Sequence, residues 1–328
     1  MRRRDLLRTA FLASLASPAG ARQSERMPVV GVLIPYGSGP GSPGQARLAG
    51  LRRGLREHGY DTTNDLVIEA RWLEGGTEKL EVLAHELVQL RPDVIVTSGD
   101  PQTRALHRET SEVPIVVALT GDLVHAGLAQ SLARPGGNVT GLIDISPELS
   151  AKRLQLVTEV LPGAARIGIL WNVANQVKVL DFEVTKDAGL SLGKEVVSLA
   201  ISGSQELEPA FATARRERIE ALLVLHDSLT ISRAGTIVEF AAKDRVPMFA
   251  GTREFAEAGG LLSYGVDVVD AFRQAASFVH RILQGAKPAD LPIEQPTKFI
   301  LAVNLKTAQQ LGITIPPSIL LRADEVIE

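Results

Sequence analysis

Two stretches decide the fold. Arg91-Pro92-Asp93-Val94-Ile95-Val96 runs into Ser98-Gly99-Asp100, and Arg218-Ile219-Glu220-Ala221-Leu222-Leu223-Val224 runs into His226-Asp227-Ser228. Each is a basic residue, an acid two positions later, an aliphatic run of strand length, then small and polar residues. Val113-Pro114-Ile115 is answered by Val246-Pro247-Met248 in the same manner. The echo predicts two similar lobes, each carrying the same strand-to-helix turn.

Outward from the first stretch, β-branched runs at 29–35, 66–71, 94–97, 115–118 and 139–143 alternate with amphipathic segments such as 46–58 and 77–90. Strand, helix, strand at this spacing reads as right-handed βαβ units around a parallel sheet. After a helix at 147–161 the pattern restarts, with strands beginning near 167, 194, 221 and 247 and helices at 175–192, 206–217 and 230–243. The tail adds a helix at 270–283, a proline-rich stretch at 285–296, a strand at 299–303 and a short helix at 305–311. Elements placed after two completed lobes imply that the chain crosses back between them. The expected fold is therefore α/β, two doubly wound parallel-sheet lobes joined by a multi-crossover hinge. The first lobe spans 27–141 plus about 268–292, and the second 142–267 plus about 293–328. The hinge is placed at 141–146, 265–267 and 292–297.

The N-terminus reads as a secretory signal over 1–21: Arg2-Arg3-Arg4, an apolar run at 9–17, then Ala19-Gly20-Ala21. Arg3-Arg4 followed by Asp5-Leu6-Leu7 also fits a twin-arginine signal, so both export routes stay open. Cleavage after Ala21 removes four arginines and one aspartate, taking the formal net charge from −3 to −6. The expected protein is soluble, periplasmic and acidic, without a direct membrane anchor and a poor partner for nucleic acid. The chain has no cysteine, which excludes disulfides, thiolate metal sites and a cysteine nucleophile.

Chemistry-bearing motifs are sparse. No Gly-x-Ser-x-Gly elbow and no Walker-type loop occurs, and the histidines show no metal-ligand spacing. The expectation is no catalytic residue, no metal and no cofactor. Gly39-Pro40-Gly41-Ser42-Pro43-Gly44 formally fits a dinucleotide fingerprint, with Glu69 in reach of the acid's role. Pro40 and Pro43 remove two backbone donors from that loop, and Ser42 capping a helix with Pro43 in its first turn explains the same letters.

Polar residues gather at the carboxyl ends of the expected strands, where open α/β sheets bind ligands. They are Tyr36 and Ser38; Ser98, Gly99 and Asp100; Thr120, Gly121 and Asp122; then Trp171 and Asn172, Asp227 and Ser228, Thr252, Arg253 and Glu254, and Tyr264. His226 stands just after a strand, in the same position. Any one of Ser98, Asp122 and Ser228 could equally serve only as a helix cap.

The run from Leu128 through Ser131-Leu132-Ala133-Arg134-Pro135-Gly136-Gly137-Asn138-Val139-Thr140-Gly141 is similar to a signature of the ABC-transporter substrate-binding proteins that include aromatic amino-acid binders. The segments 287–299 and 304–308, and Ile315-Pro316-Pro317-Ser318, resemble that family's C-terminal wording. The resemblance covers about 29–328. It implies a type I periplasmic-binding fold with three crossovers, a small solute closed between the lobes, a membrane permease as partner and no reaction. It implies binding loops at Ser98-Gly99-Asp100, Thr120-Gly121-Asp122, Asp144, His226-Asp227-Ser228, Arg253-Glu254 and Tyr264. This chain departs from the family pattern at Asp100-Pro101, at Asp122-Leu123 with His125 beyond it, and at Arg253.

The ligand expected from these residues is a zwitterion such as an amino acid. Ser98 and Thr120 would take its carboxylate, Asp227 or Glu254 its ammonium, and Tyr36 with Tyr264 its apolar part, while Arg253 could favour a dicarboxylate. Two alternatives use the same fold features: an exported dinucleotide-binding oxidoreductase, and a ligand-sensing subunit of a membrane receptor.

Overall fold

The computed structural model describes residues 26–328 apart from 36, 75–77 and 145–146. The signal read over 1–21, Tyr36 and part of the first hinge segment thus lie outside the described residues.

The first sheet is built from β1 (Val29–Ile34), β2 (Val67–Trp72), β3 (Val94–Ser98), β4 (Ile115–Thr120) and β5 (Val139–Ile143). Its order is β2-β1-β3-β4-β5, and every pairing is parallel. Residues of β3, β4 and β5 are buried throughout, as continuous aliphatic runs must be when helices cover both faces. The helices are α1 (Pro43–Glu57), α2 (Leu80–Gln89) and α3 (Asp100–Glu109). Ser42 caps α1 by accepting from the Gln45 amide at 3.2 Å, with Pro43 in the first turn. The glycine-rich loop thus supplies a helix start, and Ser42 Oγ also donates to the Gly37 carbonyl.

After α4 (Pro147–Val160), the second sheet is built from β6 (Arg166–Asn172), β7 (Glu195–Ile201), β8 (Ala221–Val224), β9 (Met248–Ala250), β10 (Leu262–Val266), β11 (Phe299–Asn304) and β12 (Glu325–Ile327). Its order is β12-β11-β10-β9-β8-β6-β7. Read from β7, the first five strands repeat the order of the first sheet. Only β11 runs antiparallel to its neighbour β10. Between these strands lie α5 (Gln176–Ser191), α6 (Leu207–Arg216), α7 (Ser228–Ser232), α8 (Ala234–Lys243) and α9 (Arg253–Glu257). The helix expected over 230–243 is two pieces, because Asp227 and Thr230 form a capping box that starts α7 early and the chain kinks at Arg233.

The chain passes between the sheets three times. β5 ends the first sheet and α4 packs on α5 and β10 of the second. Directly after β10, α10 (Val268–Leu283) returns to pack on α1. Gly50 and Gly54 lie one turn apart on α1 and face the Val269 and Arg273 carbonyls, so a β-carbon at either would strike the α10 backbone. That contact seats Ala271, Phe272, Ala275, Ala276 and Val279 in the first core. Glu294 then pairs beside β5, with the Ile143 amide donating to its carbonyl at 3.0 Å, before β11 joins the second sheet. Beyond it come α11 (Leu305–Leu311) and α12 (Pro317–Leu320).

The echo in the sequence has a structural counterpart. Arg91, Arg218 and Arg245 are the non-glycine residues with positive φ among those described, at 50°, 51° and 55°. Each turns the chain from a helix into a strand. Asp93 then accepts from the Val29 amide at 2.7 Å, and Glu220 from the Ala165 and Arg166 amides at 2.7 and 2.9 Å. In both lobes the acid anchors its strand to the first strand of that sheet.

Candidate functional site

Both sheets direct their carboxyl ends toward one cleft between the lobes, holding about 690 Å³ of free space that is partly continuous with solvent. Such sheets change strand order beside their first strand, leaving a crevice there. In the first lobe Pro35 follows β1 and Ser98 ends β3. In the second, Asn175 follows β6 and His226-Asp227-Ser228 follows β8.

The first-lobe wall is mostly uncharged. Ser98 and Thr120 are buried at the ends of β3 and β4. Gly99 starts α3 at φ 89°, where a β-carbon would stand 2.6 Å from Gln102 Oε1. Asp100 lines the cleft, yet both its oxygens accept from Arg104 Nε, at 3.1 and 2.9 Å. Arg47, on the buried stripe of α1 and only 3% exposed, is the cation of this wall.

The second-lobe wall is charged. Asp227 accepts from Asn172 Nδ2 at 2.6 Å, from the Thr230 amide at 3.0 Å and from Asn175 Nδ2 at 3.5 Å. Lys178, in the first turn of α5, pairs with Asp181 at 2.9 Å. Burial alone would raise the Asp181 carboxyl, but Lys178, Arg153 and a hydrogen bond from Ser150 outweigh it and hold it at about 2. Asp144, at the first pass between lobes, goes the other way: burial raises its carboxyl against the pull of Arg153 and Lys178. Burial, with Lys178 and Arg153, pushes His226 well below the usual imidazole range, so it is neutral at pH 7.

Two sets of contacts join the lobes across the cleft. Arg47 Nη2 donates to Glu254 Oε1 at 2.6 Å. Gln102 and Ser228 exchange hydrogen bonds at 3.1 and 3.2 Å. Beside them Gly121 lies against Val177, and a β-carbon on Gly121 would run into that valine's methyl groups.

Of the residues singled out from the sequence, the cleft brings together Ser98, Gly99, Asp100, Thr120, Gly121, Asp144, His226, Asp227, Ser228 and Thr252. Seven others do not line it, Ser38 and Trp171 among them. Asp122 caps a turn, accepting from the Val124 and His125 amides at 2.8 and 3.0 Å. Asn172 stands behind Asp227 and also binds the Ala174 amide. Arg253 points along the outer surface, paired with Glu257 and Glu325 at 2.9 and 2.7 Å, its side chain 47% exposed. Glu254 faces the cleft's edge, where Arg47 engages it. Tyr264 packs between the two cores near Phe299 and contributes its carbonyl to Arg153.

The cleft residues beyond that set are chiefly Arg47, Asn175 and Lys178. Two carried a readable signal. Arg47 falls on the buried stripe with Gly44, Leu48, Leu51 and Leu55. Lys178 puts a cation in a helix's first turn, where the helix dipole disfavours it. Among the described residues no group of three or more His, Asp or Glu is placed to hold a metal ion.

Two lobes of like topology, tied by three passes and enclosing a polar cleft, define a solute-binding protein of the type I periplasmic-binding fold. Residues 39–327 match the family model described as ABC transporter substrate binding protein, and the chain belongs to that family. It is 26% identical over 265 residues to a tyrosine-binding protein of Clostridioides difficile (strain R20291), covering 80% of this chain and 76% of that one. A Streptococcus pneumonia ABC domain solved in complex with L-Trp superposes with a TM-score of 0.83 at 28% identity, over 92% of this chain and 99% of that one. A conserved domain protein from Vibrio cholerae superposes equally, at 0.83 and 29% identity, over 92% and 100%. No helix of the described residues is long and apolar enough to cross a membrane.

Proposed function

We propose that this chain is the extracytoplasmic substrate-binding component of an ABC importer that closes on an aromatic amino acid and presents it to a membrane permease. The observation that carries the reading is the cleft itself. It sets Ser98 and Thr120 opposite a wall bearing Lys178, Asp144 and Asp227, with Pro35, Leu119, Val177, Ile231 and Val268 as its apolar lining. Groups of both signs beside an aliphatic surface match a zwitterion with an apolar side chain. The family and the Trp- and Tyr-binding relatives support the aromatic class. Export by the segment 1–21, with a mature start at Arg22, belongs to the same proposal, and N-terminal sequencing of secreted protein checks it.

Closure follows from ligand touching both walls, which shifts an existing open–closed equilibrium toward the closed form. The lobe-crossing contacts of Arg47, Gln102 and Ser228 would add to that closure. A thermal-shift screen tests the ligand class. At 100 times its dissociation constant a ligand stabilises the folded state by about 2.7 kcal/mol. Tyrosine, tryptophan or phenylalanine should raise the melting point. A rise with a sugar or nucleoside, and none with any amino acid, overturns the reading.

A further inference from the structure

The geometry points to a carboxylate subsite on the second lobe, formed by His226, Thr252 and Lys178, so that the amino acid lies opposite to the orientation read from the sequence. This inference rests on the amino-acid reading above. His226 follows β8, Thr252 follows β9 and Lys178 begins α5, and all three line the cleft. Thr252 is only 4% exposed, and its hydroxyl has no hydrogen-bond partner. Nor has the buried Nδ1 of His226.

The imidazole packs its Nδ1 edge against Gly251, where a β-carbon would collide with the ring and would stand 2.9 Å from the Arg153 guanidinium carbon. A proton on Nδ1 would have no acceptor there and would face a guanidinium. The surroundings therefore assign the proton to Nε2, at the opposite edge of the ring. His226 thus offers the cleft an N–H donor. Thr252 adds a hydroxyl, Lys178 adds the ammonium N–H groups that its pairing with Asp181 leaves over, and three donors of this kind suit an anionic acceptor. Asp227, the acid on the same wall, is already occupied by Asn172, Asn175 and Thr230.

Calorimetric titration of the mature protein with L-tyrosine, L-tryptophan and their carboxamides tests this. A hydrogen bond to a charged group is worth about 10- to 100-fold in affinity. The wild type should prefer the free acid to the amide, and His226→Ala and Thr252→Val should each lose affinity for the acid while binding the amide nearly unchanged. Affinity for the acid should stay within about 2-fold between pH 8 and pH 6, because the ring remains neutral beside Lys178, Arg153 and Arg47 despite Asp181 and Asp144. An acid-over-amide preference that survives intact in both variants overturns the subsite, as does affinity that climbs as the pH falls through 6.5. If the wild type binds none of these amino acids, the ligand class fails instead. The tautomer is then still decided by nitrogen NMR of the free protein, where an Nδ1–H signal for His226 overturns the donor assignment.

Discussion

The two lobes share a frame and differ in what they place in the cleft. Both cores have the same strand order, and the register that aligns Arg91 with Arg218 puts Asp93 on Glu220, Gly99 on His226 and Asp100 on Asp227. The frame positions behave alike: both arginines have positive φ, and both acids anchor the neighbouring strand. The cleft positions do not. Gly99 brings backbone close to the opposite lobe, whereas His226 sends in a ring. Asp100 lies inside α3 paired with Arg104, whereas Asp227 is the N-cap of α7 and gathers three side-chain or backbone donors. The backbone of a repeat can thus be kept while its ligand-facing chemistry diverges. The first wall offers chiefly hydroxyls and backbone, its Asp100 and Arg47 being engaged by Arg104 and Glu254, whereas the second adds Lys178 and Asp227.

The largest effect should come from the ion pair that joins the walls. Removing one member of a buried pair costs about 3–5 kcal/mol. Opening the lobes lets Arg47 hydrate and so avoids that cost. Glu254→Gln should therefore favour the open form, lowering ligand affinity by roughly 150-fold or more, since apparent affinity scales with the closed fraction. Small-angle scattering should show a larger particle. An unchanged profile and affinity would mean that the walls close without this pair.

Next comes Gly121→Val. Overpacking costs about 1–3 kcal/mol, and here the clash with Val177 lies between residues of opposite lobes, so opening should relieve it. Affinity should fall roughly 5- to 150-fold with little change in the melting point of the free protein. A comparable loss of stability without ligand would place the strain inside one lobe instead.

The charged wall should show itself against pH. Asp181 is held at about 2, below the 3.8 of an unperturbed aspartate. A depressed carboxyl stabilises the fold above its unfolded value and loses that contribution as pH falls through about 4 toward about 2. The difference amounts to about 2 kcal/mol. Denaturant titrations at pH 6 and pH 2.5 should show wild type losing this increment and Asp181→Asn lacking it at both. Asp144 is raised, so its charge opposes the closed fold at neutral pH and protonation relieves it. Equal acid sensitivity in Asp181→Asn and wild type would remove Asp181 from the wall's electrostatics.

The smallest effect belongs to Gln102→Leu, which removes the neutral hydrogen bonds to Ser228. A net value of about 0.5–1.5 kcal/mol corresponds to a roughly 2- to 10-fold loss of affinity. A loss as large as that of Glu254→Gln would show that the uncharged wall matters as much as the charged one.

The strands were legible because their aliphatic runs are continuous and bounded by turn residues. The run at 139–143 coincides with β5, and that at 115–118 is extended by two residues to β4. The crossing back was legible in the surplus elements after the second lobe. The antiparallel pairing of β10 and β11 was not, since an aliphatic run does not carry its direction. Within the site, Ser98, Thr120 and Asp227 were legible from their place after strands. Arg253 was misplaced because it starts α9, and only the packing of β12 beside it supplies Glu325 on the outer surface.

What the sequence determined alone is local: periodicity sets helix and strand, and the alternation of elements sets which ends carry loops. Which polar groups remain available to a ligand is decided by the tertiary structure. Glu254 meets Arg47 from far along the chain, Asn172 and Asn175 occupy Asp227, and Gly251 makes room for the ring of His226. The physical reason is range. Backbone preferences act over a few residues, whereas desolvation and charge pairing depend on separations in space that exist only once both lobes have folded and met.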